Sequence, residues 1–384
     1  MPRREYLPFG KPNFSEQEIA AVTGVLRSGW VGMGPETLAF ERELAEYLGA
    51  PHVVTVNSCT SALFLSLLVS GVGPGDEVIC PSLTWCSTAN AALYLGAKPA
   101  FCDIDADTLC PTVEQVLAKV TPRTKAVMVV HFGGLAVEVG PLRQSLPNDV
   151  VIVEDAAHAL SARFGDGTWV GSSGNLTCLS FYANKNLSTG EGGAIALFDA
   201  SLAERLYSLR QHALPVDAWR RFTHSQTLLL SNPLDTLGYK MNYTDLQASI
   251  GRVQLARQSE LSGIRLGIAR RYADGVKDVC PPVKLQQDCT HPYHARHLFV
   301  LQVPDHSRLS RDEILLRLRA KNIGASIHYA PLHLMPLYCG ESRPPSLPVT
   351  ERVAARILTL PISASMTPTD AEDVLAELQA VLKE

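Results

Sequence analysis

VVIVEDAAHA (residues 150–159), followed by LTCLSFYANKNLSTGEGG (176–193), decides the fold. The first stretch is an apolar, β-branched run that reads as a buried strand. It delivers Glu154, Asp155 and His158 at its C-terminal end. In open α/β sheets, ligands bind at that edge. A carboxylate there can face a cationic ring nitrogen or a metal, although it serves equally well as a helix cap or a salt-bridge partner. In the second stretch Lys185 sits in a polar, Gly-rich turn between two strand-like segments. A loop lysine is ordinarily a solvated charge. A Schiff-base lysine has the same surroundings, provided that a cofactor aldehyde and an acidic partner for a pyridine nitrogen are near. Asp155 is the candidate partner. Gly190, Gly192 and Gly193 let the backbone turn tightly. GEGG is not a dinucleotide loop, because the strand-like AIALF follows it where a helix would be required.

Outward from this stretch, strands alternate with helices. HVVTVNS, EVICPS, KPAFCDID and AVMVVHF read as strands, and GGAIALF extends the set. CTSALFLSLLVSGV, CSTANAALYLG, TVEQVLAKV and a segment near PLRQSL read as helices between them. Residues 15–28, with Ser15 as N-cap, and residues 35–48, ending near Gly49, read as helices that precede the first strand. The alternation predicts an α/β fold whose large domain, residues 1–255, holds a mostly parallel sheet of about seven strands flanked by helices. A long helix is expected from the N-cap Thr244 to residue 276, bridging to a smaller α+β domain, residues 256–384. That domain is expected to contain strands HLFVLQV and GASIHY and helices SRDEILLRLRAKN and TPTDAEDVLAELQAVLKE.

The composition narrows the function. The 384 residues carry a formal net charge of −4, so no basic field attracts nucleic acid or an anionic membrane surface. No apolar run reaches the ~18 residues of a membrane span, and no secretory h-region follows the first arginines. The nine cysteines are scattered without a CxxC pair, which predicts reduced packing thiols, no metal site and a cytoplasmic protein.

Two further segments complete a candidate site. NSCTSAL places Ser58, Thr60 and Ser61 at a strand-to-helix junction, where free N–H groups and the helix dipole suit a phosphate, though simple capping also explains them. Ser180 adds a possible donor. PSLTWCSTAN puts Trp85 just after a strand, where an indole either joins the core or stacks on a flat ring.

The order NSCTSAL, PSLTWCST, EDAAHA, SFYANKNLSTGEGG resembles the sugar-aminotransferase family called DegT/StrS, a group of fold-type I pyridoxal-phosphate enzymes. SGWVGMGPETLAFERELAEYLGA, GVGPGDEVICPS, GAKPAFCDID, TPRTKAVMVVHFGG and GYKMNYTDLQASIGRVQL extend the likeness over nearly the whole chain. Within the family, TW, FYANKN and VDAW look most like the branch that makes UDP-4-amino-4-deoxy-L-arabinose. The resemblance implies pyridoxal 5'-phosphate as cofactor, Lys185 as its Schiff-base lysine, Asp155 facing the pyridine nitrogen and His158 near the 3-hydroxyl. It further implies Trp85 stacked on the ring and Thr60, Ser61 and Ser180 around the phosphate. Asn242 matches a phosphate contact donated by the other subunit of a homodimer with shared active sites. Trp30, His328 and Tyr329 are expected at the substrate. The implied reaction moves an amino group from L-glutamate to a nucleotide-linked keto sugar, a UDP- or dTDP-4-keto sugar, for a glycan or glycosylated natural product. Ala213 and Gly190 depart from the family pattern without removing a chemical group. A sugar dehydratase of the same fold is the first rival, although such relatives replace the lysine by histidine. A non-catalytic sugar-nucleotide-binding regulator is the second. An amino-acid aminotransferase, with Arg296 as the nearest carboxylate receptor, is the third.

Overall fold

The computed structural model describes residues 3–214, 234, 236–277, 282–339 and 344–383. The VDAW segment, residues 216–219, lies outside the described residues. Seven strands form one sheet: β1 (His52–Val56), β2 (Glu77–Pro81), β3 (Lys98–Cys102), β4 (Thr124–Val130), β5 (Val151–Asp155), β6 (Leu176–Ser180) and β7 (Gly193–Leu197). Their order is β1-β7-β6-β5-β4-β2-β3. β7 runs antiparallel to both neighbours, and the other adjacent pairs are parallel. The mostly parallel sheet expected from the strand–helix alternation is therefore present, with one reversed strand.

The strands are apolar on both faces, because both faces are covered. Successive residues alternate between two cores. Val53, Val127, Val129 and Ile152 point to the side where Phe40 and Leu44 of the helix Pro35–Leu48 pack. Val54, Met128 and Val153 point to the side of the helix Cys59–Val69. That helix is apolar nearly all round, as its sequence requires, since strands lie on one side of it and the helices Cys86–Tyr94 and Ala200–Leu209 on another.

A second, antiparallel sheet is built from β8 (Lys284–Leu285), β9 (Phe299–Gln302) and β10 (Ile357–Leu360), in the order β10-β9-β8. The helices Gln258–Gly275, Arg311–Ala320 and Pro368–Lys383 cover it through Ile268, Ile314 and Val374. The chain's beginning rests there too: Leu7 joins this core and Arg3 pairs with Asp370 at 2.7 Å. A bridging cluster of Leu83, Ile104 and Phe132 with Leu298, Val300 and Ile357 joins the two sheets.

The local signals in the sequence have clear counterparts. Ser15 closes a capping box with Glu18, Thr244 does the same with Gln247, and Gly49 ends its helix in the left-handed region at φ 70°. Two expectations need correction. The helix from Thr244 is two helices, Asp245–Ala256 and Gln258–Gly275, broken at Arg257. The first packs on the helices Glu16–Ser28 and Pro35–Leu48, the second on Pro368–Lys383. Arg257 pins the bend by reaching Glu18 at 2.8 Å. We propose that the division between residues 1–255 and 256–384 falls beside this break. GASIHY is not a strand: it makes a single bridge, Ser326 to Thr359, and then leaves the sheet.

A buried ion pair holds the first helical layer to the sheet. Arg210 Nη1 donates to Glu41 Oε1 at 2.5 Å, and the same oxygen accepts from the Thr55 amide at 2.9 Å. Both side chains are almost wholly enclosed. Glu41→Ala leaves an unpaired guanidinium in the core and should cost about 3–5 kcal/mol, read as a lower denaturant midpoint. Glu41→Gln, which keeps the shape and an acceptor, should cost less.

Candidate active site

The C-terminal ends of the parallel strands open onto a cavity of about 460 Å³. Asp155 is the last residue of β5 and Ser180 the last of β6, so the strands aim them at the same edge. Of the residues singled out from sequence, Thr60, Trp85, Asp155, His158, Ser180, Lys185, His328 and Tyr329 all line this one cavity. Ser61 stands behind the wall: its amide donates to Ser58 Oγ at 3.1 Å and its hydroxyl to Asn57 Oδ1 at 2.6 Å. It is held as part of the cap of the helix Cys59–Val69. Trp30 and Asn242 do not meet Lys185 within the chain. They line a separate cavity of about 330 Å³, with Gln211, His212 and Lys240. Arg296 is not on the Lys185 cavity; its Nη1 donates to the His291 carbonyl at 2.7 Å.

Asp155 is buried, and burial raises its pKa. Opposing this, Thr88 Oγ1 donates to Oδ2 at 2.7 Å and the Ala157 amide to Oδ1 at 3.2 Å. These donors and the charge of Lys185 favour the carboxylate. Lys185 is held down to about 8, chiefly by burial, against the opposing pull of Cys59 and Asp155. An amine near 8 is partly unprotonated at neutral pH, as a nucleophile or a base requires.

His158 is held neutral: burial and the nearby Lys185 charge push its pKa well below the usual imidazole value. Its Nδ1 accepts from the Gly133 amide at 3.4 Å, which leaves the proton on Nε2, 3.1 Å from the Tyr329 hydroxyl. Burial pushes the Tyr329 hydroxyl up and His328 down to about 3. Trp85 is 59% exposed at the cavity wall, with its ring 5.7 Å from that of Tyr329.

On the opposite side stands a helix N-terminus. Ser58 caps the helix Cys59–Val69, and Thr60 Oγ1 donates to Ser87 Oγ at 2.9 Å. N–H groups in such a first turn have no partner within the helix and suit an anion. Gly193 lets β7 run against this turn: a Cβ there would lie 2.6 Å from the Cys59 nitrogen. Gly192 adopts φ 149° and would drive a Cβ into Tyr243 and Thr189.

Sequence reading missed three residues. Thr88 and Ser87 lie in the first turn after Trp85, and their Ser/Thr character at a helix start was a signal that could have been used. His297 reaches Lys185 Nζ at 3.3 Å and comes from the segment before β9, with nothing local to mark it.

The donor set fits pyridoxal phosphate. Asp155 offers a buried carboxylate for a protonated pyridine nitrogen, Lys185 an amine for the aldehyde, and the Ser58–Thr60 turn a cup for the phosphate. Among the described residues no cluster suits a metal ion. The fold and the cavity thus define an aminotransferase of the pyridoxal-phosphate kind. Residues 12–379 match the DegT/DnrJ/EryC1/StrS aminotransferase family, and the chain belongs to that family. It is 39% identical to the spore coat polysaccharide biosynthesis protein SpsC of Bacillus subtilis (strain 168), over 99% of this chain and 98% of SpsC. The crystal structure of the aminotransferase TlmJ from Streptoalloteichus hindustanus superposes with a TM-score of 0.88 at 36% identity, covering 98% of this chain and 99% of TlmJ. Spr1654 from Streptococcus pneumoniae, in its PLP form, gives a TM-score of 0.89 at 30% identity, over 98% and 99% of the two chains.

Gly193→Ala should push the Ser58–Cys59 turn out of place and weaken cofactor binding about tenfold, or ~1.4 kcal/mol. An absorbance titration of the cofactor-free protein with pyridoxal phosphate measures this.

Proposed function

We propose that the protein transfers an amino group from L-glutamate to a nucleotide-linked keto sugar, with a UDP- or dTDP-4-keto sugar as acceptor, in the making of an amino sugar for a glycan or glycosylated natural product. One observation carries this reading: a half-buried lysine held down to about 8 shares a cavity with a buried carboxylate, in a chain of this aminotransferase family. The likeness to SpsC, a polysaccharide biosynthesis protein, supports the sugar.

The bound cofactor would supply the electron sink that makes the substrate's carbon–hydrogen bond acidic. The chain's own groups do the rest. Asp155, held by Thr88 and the Ala157 amide, would be the carboxylate that pairs with the protonated ring nitrogen. The Lys185 amine takes a proton from the substrate carbon in the donor half and returns one to the acceptor in the other half, so ping-pong kinetics follow. Neutral His158 and the Tyr329 hydroxyl form one wall. Trp85, exposed at the cavity wall, would supply a face for the ring. Toward the substrate the cavity presents Tyr182, Asn184, Glu191 and His328. The lining contains no arginine among the described residues, which suits hydroxyl-rich acceptors better than amino acids alone. Lys185 and Asp155 together speak against the dehydratase and regulator readings.

The working unit in this proposal is a homodimer. Asn242 and Trp30 line a cavity apart from that of their own Lys185, as residues that complete a partner's site would. A cytoplasmic setting is proposed as well. Cys59, Cys80, Cys86, Cys102, Cys110, Cys178 and Cys289 are free thiols, and no helix among the described residues is long and apolar enough to cross a membrane.

Lys185→Ala should abolish turnover and leave no covalently held cofactor after borohydride reduction; normal turnover would refute the role. Mixing Lys185→Ala with Asn242→Ala protein should restore activity, because a mixed dimer carries one intact site. No recovery would remove the shared-site dimer. A half-reaction screen, with enzyme pre-loaded by glutamate, should show re-oxidation of the cofactor spectrum by UDP- or dTDP-4-keto sugars, the UDP-4-keto pentose of the L-arabinose branch included. Response to 2-oxo acids alone would overturn the sugar assignment.

A further inference from the structure

His297 has no part in the reaction drawn above, yet its Nε2 stands 3.3 Å from Lys185 Nζ. It is 3% exposed and arrives from the segment that precedes β9. Two glycines let it in. The amide of Ala295 donates to the Gly134 carbonyl at 2.8 Å and that of Leu298 to the Gly133 carbonyl at 3.1 Å, so the segment is clamped on both sides of His297. Gly134 adopts φ 106°, and a Cβ on it would lie 2.9 Å from the Arg296 nitrogen. On its other side the His297 ring packs against His158, centroid to centroid at 4.5 Å. The imidazole is thereby fixed in place and in tilt.

Its remaining nitrogen, Nδ1, is buried and has no hydrogen-bond partner. A neutral imidazole carries one N–H and one bare nitrogen. Burying an orphaned N–H is rarer in proteins than burying an under-used acceptor. The cheaper arrangement leaves Nδ1 bare and puts the proton on Nε2, which then needs an acceptor. The lone pair of an uncharged Lys185 amine is that acceptor.

We propose that His297 is a positioning residue that donates Nε2–H to the free Lys185 amine and so holds it uncharged and aimed, whenever that amine is not bonded to the cofactor. The inference rests on the reading of Lys185 as the cofactor lysine. The surroundings agree with it. Burial moves Lys185 to about 8 and His297 well below the usual imidazole value, so both partners are neutral above about pH 8, and the free-amine fraction at pH 7 is small and sensitive to the donor. The charged and titratable groups that face the pair are Cys59, Asp155 and Arg265, together with His158 and His328. The last two are themselves held neutral by burial.

Two measurements on the cofactor-free, full-length protein decide the matter. Nitrogen-15 NMR of histidine-labelled protein at about pH 9, where the Lys185 amine is mostly uncharged, reads the tautomer directly, and the signals lost in His297→Gln assign the residue among the 11 histidines. A pyrrole-like Nε2 with a pyridine-like Nδ1 supports the proposal; the reverse pattern, or an imidazolium, overturns it. The second measurement is acylation of Lys185 at pH 7, followed by mass spectrometry. His297→Leu removes the donor and should slow labelling about three- to tenfold, as a pKa rise of about 0.5–1 unit would. His297→Gln, whose amide can donate, should restore it. Equal or faster labelling of His297→Leu overturns the proposal. If that variant does not fold, the NMR result on the unsubstituted protein stands alone. Borohydride reduction with pyridoxal phosphate tests the underlying assignment separately, since an adduct on another lysine would sink the Lys185 reading whatever the tautomer.

Discussion

The meeting of Asp155 and Lys185 at one cavity, largely withdrawn from solvent, is the constraint on which the rest depends. A carboxylate and an amine taken out of water are each costly, and neither can be repaired by rearranging solvent. The fold must therefore supply fixed dipoles. Thr88 and the Ala157 amide do so for Asp155, and His297 stands against Lys185. Once those groups are committed, the helix Cys86–Tyr94, the turn after β5 and the segment before β9 can move little relative to one another. The sheet is the natural place for such a site, because parallel strands end together at one edge and leave their C-terminal residues pointing into a common crevice.

Close backbone approaches achieve the convergence. Gly193 lets β7 lie against the Ser58–Cys59 turn, and Gly134 lets the second sheet's leading segment lie against the end of β4. Any side chain at either place would push apart elements that each carry part of the cavity wall. The bridging cluster around Phe132 and Leu298 adds apolar contact where the two sheets meet. His328 and Tyr329 come from the segment expected as a strand. Its departure from the sheet after Ser326 lets those two side chains turn into the cavity.

Much of this was legible from residue order. Strand runs such as VVIVED carry their own signal, since β-branched residues apolar at every position require a sheet covered on both faces. Ser15, Thr244 and Gly49 announce helix ends through local hydrogen bonding and backbone freedom. The break at Arg257 was not legible, because the apolar spacing runs through it and the residue that Arg257 pairs with there, Glu18, lies more than two hundred residues away. Ser61 carried the right chemistry for a phosphate cup, but rotation along the first helical turn spends its hydroxyl on Asn57.

The sequence by itself determined the class of fold, the layout of strands and caps, and a chemically coherent set of groups: lysine, aspartate, histidine and a hydroxyl-rich helix start. Each of these is a property of a short segment, written in periodicity, capping or residue type. Only the tertiary structure decided which of them share a cavity, which lie behind its wall or in a second cavity, and that His297 touches Lys185. Those outcomes depend on contacts between segments far apart in the chain, set by packing and by burial of charge, and no local pattern encodes them.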